Sequence, residues 1–102
     1  MAAPVLTVIT YTAKPGCEEE LEGLLRTHVA RLAELGLVAE VKPHFAAKKV
    51  GTQNIFVESF WWRDAGARHI AQDNSEVQEL WMRVEDLCIS NGVQPVELAL
   101  LD

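Results

Sequence analysis

The chain has 102 residues, a length that fits one domain spanning residues 1–102. It is 49% apolar and 24% charged, an ordinary globular balance, and carries a net charge of −6. That acidity argues against a nucleic-acid binder, which shows a basic patch or stripe, and against docking on anionic membranes.

Met1 to Pro4 lacks a charged segment leading into a long apolar run. The apolar stretch Val5–Ile9 is far too short for a bilayer, which needs about 20 residues. The expected location is the cytoplasm, with no membrane partner. Cys17 and Cys88 are far apart and form no C-x-x-C, so they read as free thiols in a reducing compartment. Cys17 stands at a helix start, where the dipole favours a thiolate, but three glutamates follow and oppose it.

The first strand is expected over Val5–Thr12, rich in β-branched residues, and Lys14-Pro15-Gly16 breaks it. A helix follows over Cys17–Leu35. Glu18, Glu19 and Glu20 fill its first turn and complement the helix dipole. Leu21, Leu24, Leu25, His28, Leu32 and Leu35 form its apolar stripe, and Gly36 stops it. A second strand is expected over Leu37–Lys48, bulged or at an edge because Pro43 cannot donate to a ladder. After a turn at Gly51–Asn54, Ile55–Trp62 is the strongest strand signal, and the pair reads as a hairpin.

A short helix is expected over Asp64–Ala71, capped by Asp64. A longer one follows over Ser75–Ile89, opened by a Ser75/Gln78 capping box. Its stripe is Val77, Leu80, Trp81, Val84, Leu87 and Cys88, and Asn91-Gly92 ends it. The last strand is Gln94–Leu101. The order is β-α-β-β-α-β, an α+β ferredoxin-like fold with a four-stranded antiparallel sheet.

Two helices cover one face of such a sheet, and the other face should be polar if it meets water. Here both are apolar. Ile55, Val57 and Trp61 share one side of the third strand, and Phe56, Phe60 and Trp62 share the other. An uncovered apolar face is an association surface, so the expected partner is a second copy: a homodimer closing into a dimeric α+β barrel.

The segment Glu58–His69, ESFWWRDAGARH, resembles the antibiotic biosynthesis monooxygenase family. Its pattern there is a strand ending in E-x-aromatic, an acidic turn, and a short helix carrying a histidine. Glu58, Phe60 and His69 match. The family usually has tryptophan at Phe60, and here Trp61 and Trp62 follow instead. Lys14-Pro15-Gly16 before an acidic helix is a second likeness. The resemblance implies the dimeric barrel and oxygenation of electron-rich phenols or quinols by molecular oxygen without a cofactor. Haem-degrading relatives use an asparagine on the first strand, where this chain has Thr7, Thr10 and Thr12. That departure argues against haem degradation.

No phosphate loop, nucleophile elbow or metal-spaced cluster is evident, so no cofactor or metal is expected. Cofactor-free oxygenation needs a base, a water-poor pocket and donors for developing negative charge. His69 is the first candidate base, against a structural histidine on the short helix. His28, a polar ring in a leucine stripe, either lines a cavity or is a satisfied core histidine. His44 beside Pro43 reads as an edge residue.

Glu58 is expected buried. It either pairs with Arg63, Arg68 or the second subunit, or serves as a catalytic carboxylate. Trp61 and Trp62 must face opposite ways, one lining the pocket and one meeting the partner. Both, with Phe60, are candidate substrate contacts, and core packing is the alternative. Trp81 reads as core. Three functions remain open: an oxygenase of a small aromatic, a non-catalytic ligand-binding dimer, and a proton-shuttling isomerase or lyase. A cavity filled by Leu25, His28 and Trp61 would favour the second.

Overall fold

A computed structural model describes residues 3–99 and 101. The elements are β1 (Val5–Ala13), α1 (Glu18–Glu34), β2 (His44–Val50), β3 (Gln53–Trp62), α2 (Ala67–Gln72), α3 (Ser75–Asp86) and β4 (Cys88–Leu98). The strands form one antiparallel sheet in the order β2-β3-β1-β4, the ferredoxin-like arrangement. Among the described residues, no helix is long and apolar enough to cross a membrane.

Alternation along the strands decides what the helices cover. On β1, Thr7, Ile9, Tyr11 and Ala13 are buried; on β3, Phe56, Glu58, Phe60 and Trp62 are. Leu21, Leu25, His28 and Leu32 of α1 pack down on this face. Val77 and Val84 of α3 add to the same core. Phe60 is 1% exposed and sits edge-on to Trp62, ring centroids 5.0 Å apart.

Among the described residues, no helix lies over the opposite face. Leu6, Val8, Ile55, Val57 and Trp61 are only half-buried there. Val96 and Leu98, paired with Val8 and Leu6, are exposed. The sheet is therefore apolar on both sides.

The second strand is shorter than expected. Leu37–Lys48 divides at Pro43. Before it, Ala39 N donates to Trp61 O at 2.8 Å and Arg63 N to Leu37 O at 2.9 Å, leaving Val38 in an isolated bridge to Trp62. β2 proper begins at His44, an exposed residue on the edge strand. A hairpin joins it to β3 through Gly51 and Thr52, with Gly51 at φ +61°. β3 accordingly starts at Gln53, inside the expected turn.

The second half differs in its boundaries. Asn74, not Ser75, caps α3: its side chain accepts from Val77 N at 3.1 Å, so the Ser75/Gln78 capping box does not form. Asp64 accepts from Gly66 N at 2.9 Å in a turn that precedes α2. The longer helix stops at Asp86, and Cys88 pairs with Ala13 as the first residue of β4. Asn91-Gly92 ends no helix. It sits in a bulge where β4 advances from Cys88 to Val93 while β1 moves only from Ala13 to Tyr11. Asn91 adopts φ +59°, and a Cβ on Gly92 would stand 2.9 Å from Thr12 O. These residue types signal left-handed backbone and close approach, which strands use at bulges as helices do at their ends. β4 ends at Leu98; Leu100 of the expected last strand lies outside the described residues.

Candidate functional site

Two inward residues, Tyr11 of β1 and Glu58 of β3, form a hydrogen-bonded chain with one histidine of α1. Glu58 lies opposite Ile9 in the ladder, one diagonal step from Tyr11. Tyr11 Oη donates to Glu58 Oε1 at 2.8 Å, and His28 Nδ1 lies 2.9 Å from the same oxygen. From α3, Trp81 Nε1 donates to His28 Nε2 at 2.9 Å. An indole N–H only donates, so Nε2 is the acceptor and the proton of a neutral ring sits on Nδ1. Glu58 Oε1 thus receives two donors, as a carboxylate does.

Burial makes this chain of bonds consequential. His28 and Glu58 are each 2% exposed. A buried carboxylate without partners would be strongly disfavoured. Tyr11 responds in the direction expected: burial first, then the charge and hydrogen bond of Glu58, hold its phenol far above the ordinary range. It stays a neutral donor.

The network forms part of the wall of a cavity of about 220 Å³ between β1, β4, α2 and α3. Ile9, Trp62, Val84, Val93 and Pro95 give it apolar walls, and Tyr11, His28 and Trp81 line it as well. Thr7 and Trp62 also line the cavity, and Thr7 Oγ1 and Trp62 Nε1 are buried with no hydrogen-bond partner among the described residues. Buried polar atoms are ordinarily paired, so these two stand out in the core. Arg68 of α2 and Glu97 of β4 form an ion pair of 2.8 Å on the lining, both partly exposed.

The expected site residues separate on this geometry. His28, Glu58 and Trp62 gather at or behind the cavity, with Phe60 packed edge-on against His28 at 5.8 Å. His69 is exposed on α2 and does not line the cavity, because the helix turns Ala67 and Ala71 inward instead. Trp61 also lies away from it, on the open face, as strand alternation requires once Trp62 points in. Glu58 pairs with His28 and Tyr11 rather than with an arginine; Arg63 is held by Asp64 and Arg68 by Glu97. Leu25, His28 and Trp61 do not fill the space.

Sequence reasoning missed Tyr11, Thr7 and the polar role of Trp81. Tyr11 and Thr7 share parity with Ile9, and a buried tyrosine hydroxyl needs a partner, which was the available signal. Nothing in the sequence ties Trp81 to His28, since they meet only through the packing of α3 on α1.

No family model matches the chain, and no curated protein matches it. Solved structures do share its fold. SnoaB, a cofactor-independent oxygenase from Streptomyces nogalater, superposes with a TM-score of 0.72 at 15% identity, covering 98% of this chain and 96% of that one. PA3566 from Pseudomonas aeruginosa gives 0.77 at 24% identity, covering 100% and 98%. A dimeric ferredoxin-like protein of unknown function from Jannaschia sp. CCS1 gives 0.76 at 10% identity, covering 96% and 100%. At these identities the likeness is one of fold.

Proposed function

We propose that the chain is a cofactor-independent monooxygenase of small phenolic or quinol-type aromatics. The observation that carries this reading is the buried Tyr11–Glu58–His28 network opening on a 220 Å³ apolar cavity. A cavity of about 150 Å³ already accepts benzene, so this volume suits a substituted single ring. The fold shared with SnoaB supports the reaction class without supplying the substrate.

His28 Nε2 takes the proton of the substrate hydroxyl, and Glu58 stabilises the imidazolium through Nδ1–H. Thr7 Oγ1–H and Trp62 Nε1–H donate to a substrate oxygen that carries negative charge. The phenolate is the reductant. A phenol and O₂ give a quinone and water: one oxygen atom enters the ring, the other leaves as water, and the ring supplies all four electrons. A quinol gives a hydroxyquinone and water by the same balance.

The same reading makes the protein a single cytoplasmic domain working as a homodimer. The open apolar face that carries Trp61 supports assembly, as does the dimeric state of the Jannaschia neighbour. Two free cysteines suit a reducing compartment. The test is oxygen uptake by metal-free protein with mono- and dihydroxybenzenes, with quinone formation followed optically. Uptake matched one-to-one by quinone supports the reading. Saturable binding with no uptake across the panel sinks it and leaves a ligand-binding dimer; turnover without oxygen leaves an isomerase or lyase.

A further inference from the structure

If His28 is the base of the reaction just proposed, its reactive lone pair is already occupied. Nε2 accepts from Trp81 Nε1 at 2.9 Å, while Nδ1–H is committed to Glu58. A neutral imidazole has one acceptor nitrogen, so a hydroxyl and the indole cannot both use it in full. A base must come within about 2.6–3.2 Å of the proton it removes. Proton abstraction therefore requires the indole to move.

We propose that Trp81 is a displaceable cap on His28, exchanged for the hydroxyl of an incoming aromatic and left in place by the corresponding ether. The exchange preserves the hydrogen bond at Nε2, since one donor replaces another. It leaves the indole N–H without its nitrogen acceptor, and Trp81 is only part-buried, so water can take that place. His28 and Phe60 are fixed by burial and stay in position. An aromatic lacking a hydroxyl has nothing to offer Nε2 and leaves the cap in place. Between encounters the indole keeps water off the base. Trp81 is thus a positioning residue, acting through His28.

The probes are phenol and anisole, followed by ¹H–¹⁵N spectra of the indole N–H groups. The chain has three tryptophans, and the Trp81 signal is the one missing from Trp81→Phe. Phenol is expected to shift the Trp81 indole signal on saturation, and anisole to bind without shifting it. In Trp81→Phe, phenol should bind about two- to tenfold tighter, the span of one ordinary net hydrogen bond, with anisole unchanged.

Phenol binding with a stationary Trp81 signal overturns the proposal, as does equal tightening for both probes. Failure of phenol to bind either protein also overturns it. Displacement of Trp81 by phenol in a protein that consumes no oxygen upholds the cap while removing the oxygenase. The comparison within the wild-type protein stands even if Trp81→Phe folds poorly.

Discussion

Glu58 Oε1 stands 2.9 Å from His28 Nδ1, and neither residue is more than 2% exposed. The pair is set by two unrelated periodicities. Strand alternation on β3 turns Glu58 inward with Phe56, Phe60 and Trp62, and the helical stripe of α1 brings His28 down among its leucines. A charge brought into a core is tolerated only with partners, and Tyr11 supplies the second.

Glu58→Gln keeps an acceptor for both donors and removes the charge. Hydrogen bonds to a charged acceptor are roughly twice as strong as neutral ones, so the urea midpoint should fall modestly. Oxygenation should fall about 100-fold or more, because the imidazolium loses its counter-charge. Unfolding curves and initial rates on the same preparation check this. A shifted midpoint with an unchanged rate would make the pair purely structural.

Tyr11 links stability to alkaline pH. Its folded-state pKa is raised, so the unfolded chain releases the proton first, near pH 10. Its contribution is complete below that pH and declines above it, by up to about 1.4 kcal/mol per pH unit. Tyr11→Phe should be less stable at pH 7 by about 1.5–3 kcal/mol, with the difference closing above pH 10. Tyr11 is the sole tyrosine, so absorbance near 295 nm reports it alone. Tyrosinate appearing near pH 10 in the folded protein would contradict its buried bond to Glu58.

Adjacent tryptophans should fail in different ways. Trp61→Glu places a charge on the open face and should convert a dimer to monomers in sedimentation while the monomer keeps its helical spectrum. Trp62→Glu buries an unpaired carboxylate where the wild-type ring is 3% exposed and should cost several kcal/mol of folding stability. A Trp61→Glu protein that sediments like wild type removes the open face from the interface.

The cysteines differ in access. Burial pushes the Cys88 thiol up to about 11, while Cys17 is part-exposed at the start of α1. Because the thiolate is the reactive form, a thiol reagent at pH 8 should modify one equivalent promptly and the second only on unfolding. Peptide mapping should place the prompt label on Cys17.

Much of the architecture was legible because it follows from period. Alternation in IFVESFWW put Glu58 on one face with Phe56, Phe60 and Trp62, and the leucine spacing of α1 turned His28 toward the sheet. Which face of β3 the helices cover was not legible, since both faces are apolar. What was not legible depends on contacts between distant segments. His69 matched a family pattern, yet the small Ala67 and Ala71 take the inward positions on α2 and leave it exposed. Asn91-Gly92 carries the same turn chemistry at a bulge as at a helix end, and only pairing with β1 distinguishes them. Trp81 lies 53 residues from His28, so its hydrogen bond has no local signature.

The most direct measurement is the oxygen-uptake rate with a dihydroxybenzene for His28→Ala beside His69→Ala, both metal-free. His28→Ala should lose about 100- to 10,000-fold, the usual contribution of a general base, while His69→Ala runs at the wild-type rate. Wild-type activity in His28→Ala, or loss confined to His69→Ala, would contradict the assignment of the buried Glu58–His28 pair as the catalytic centre.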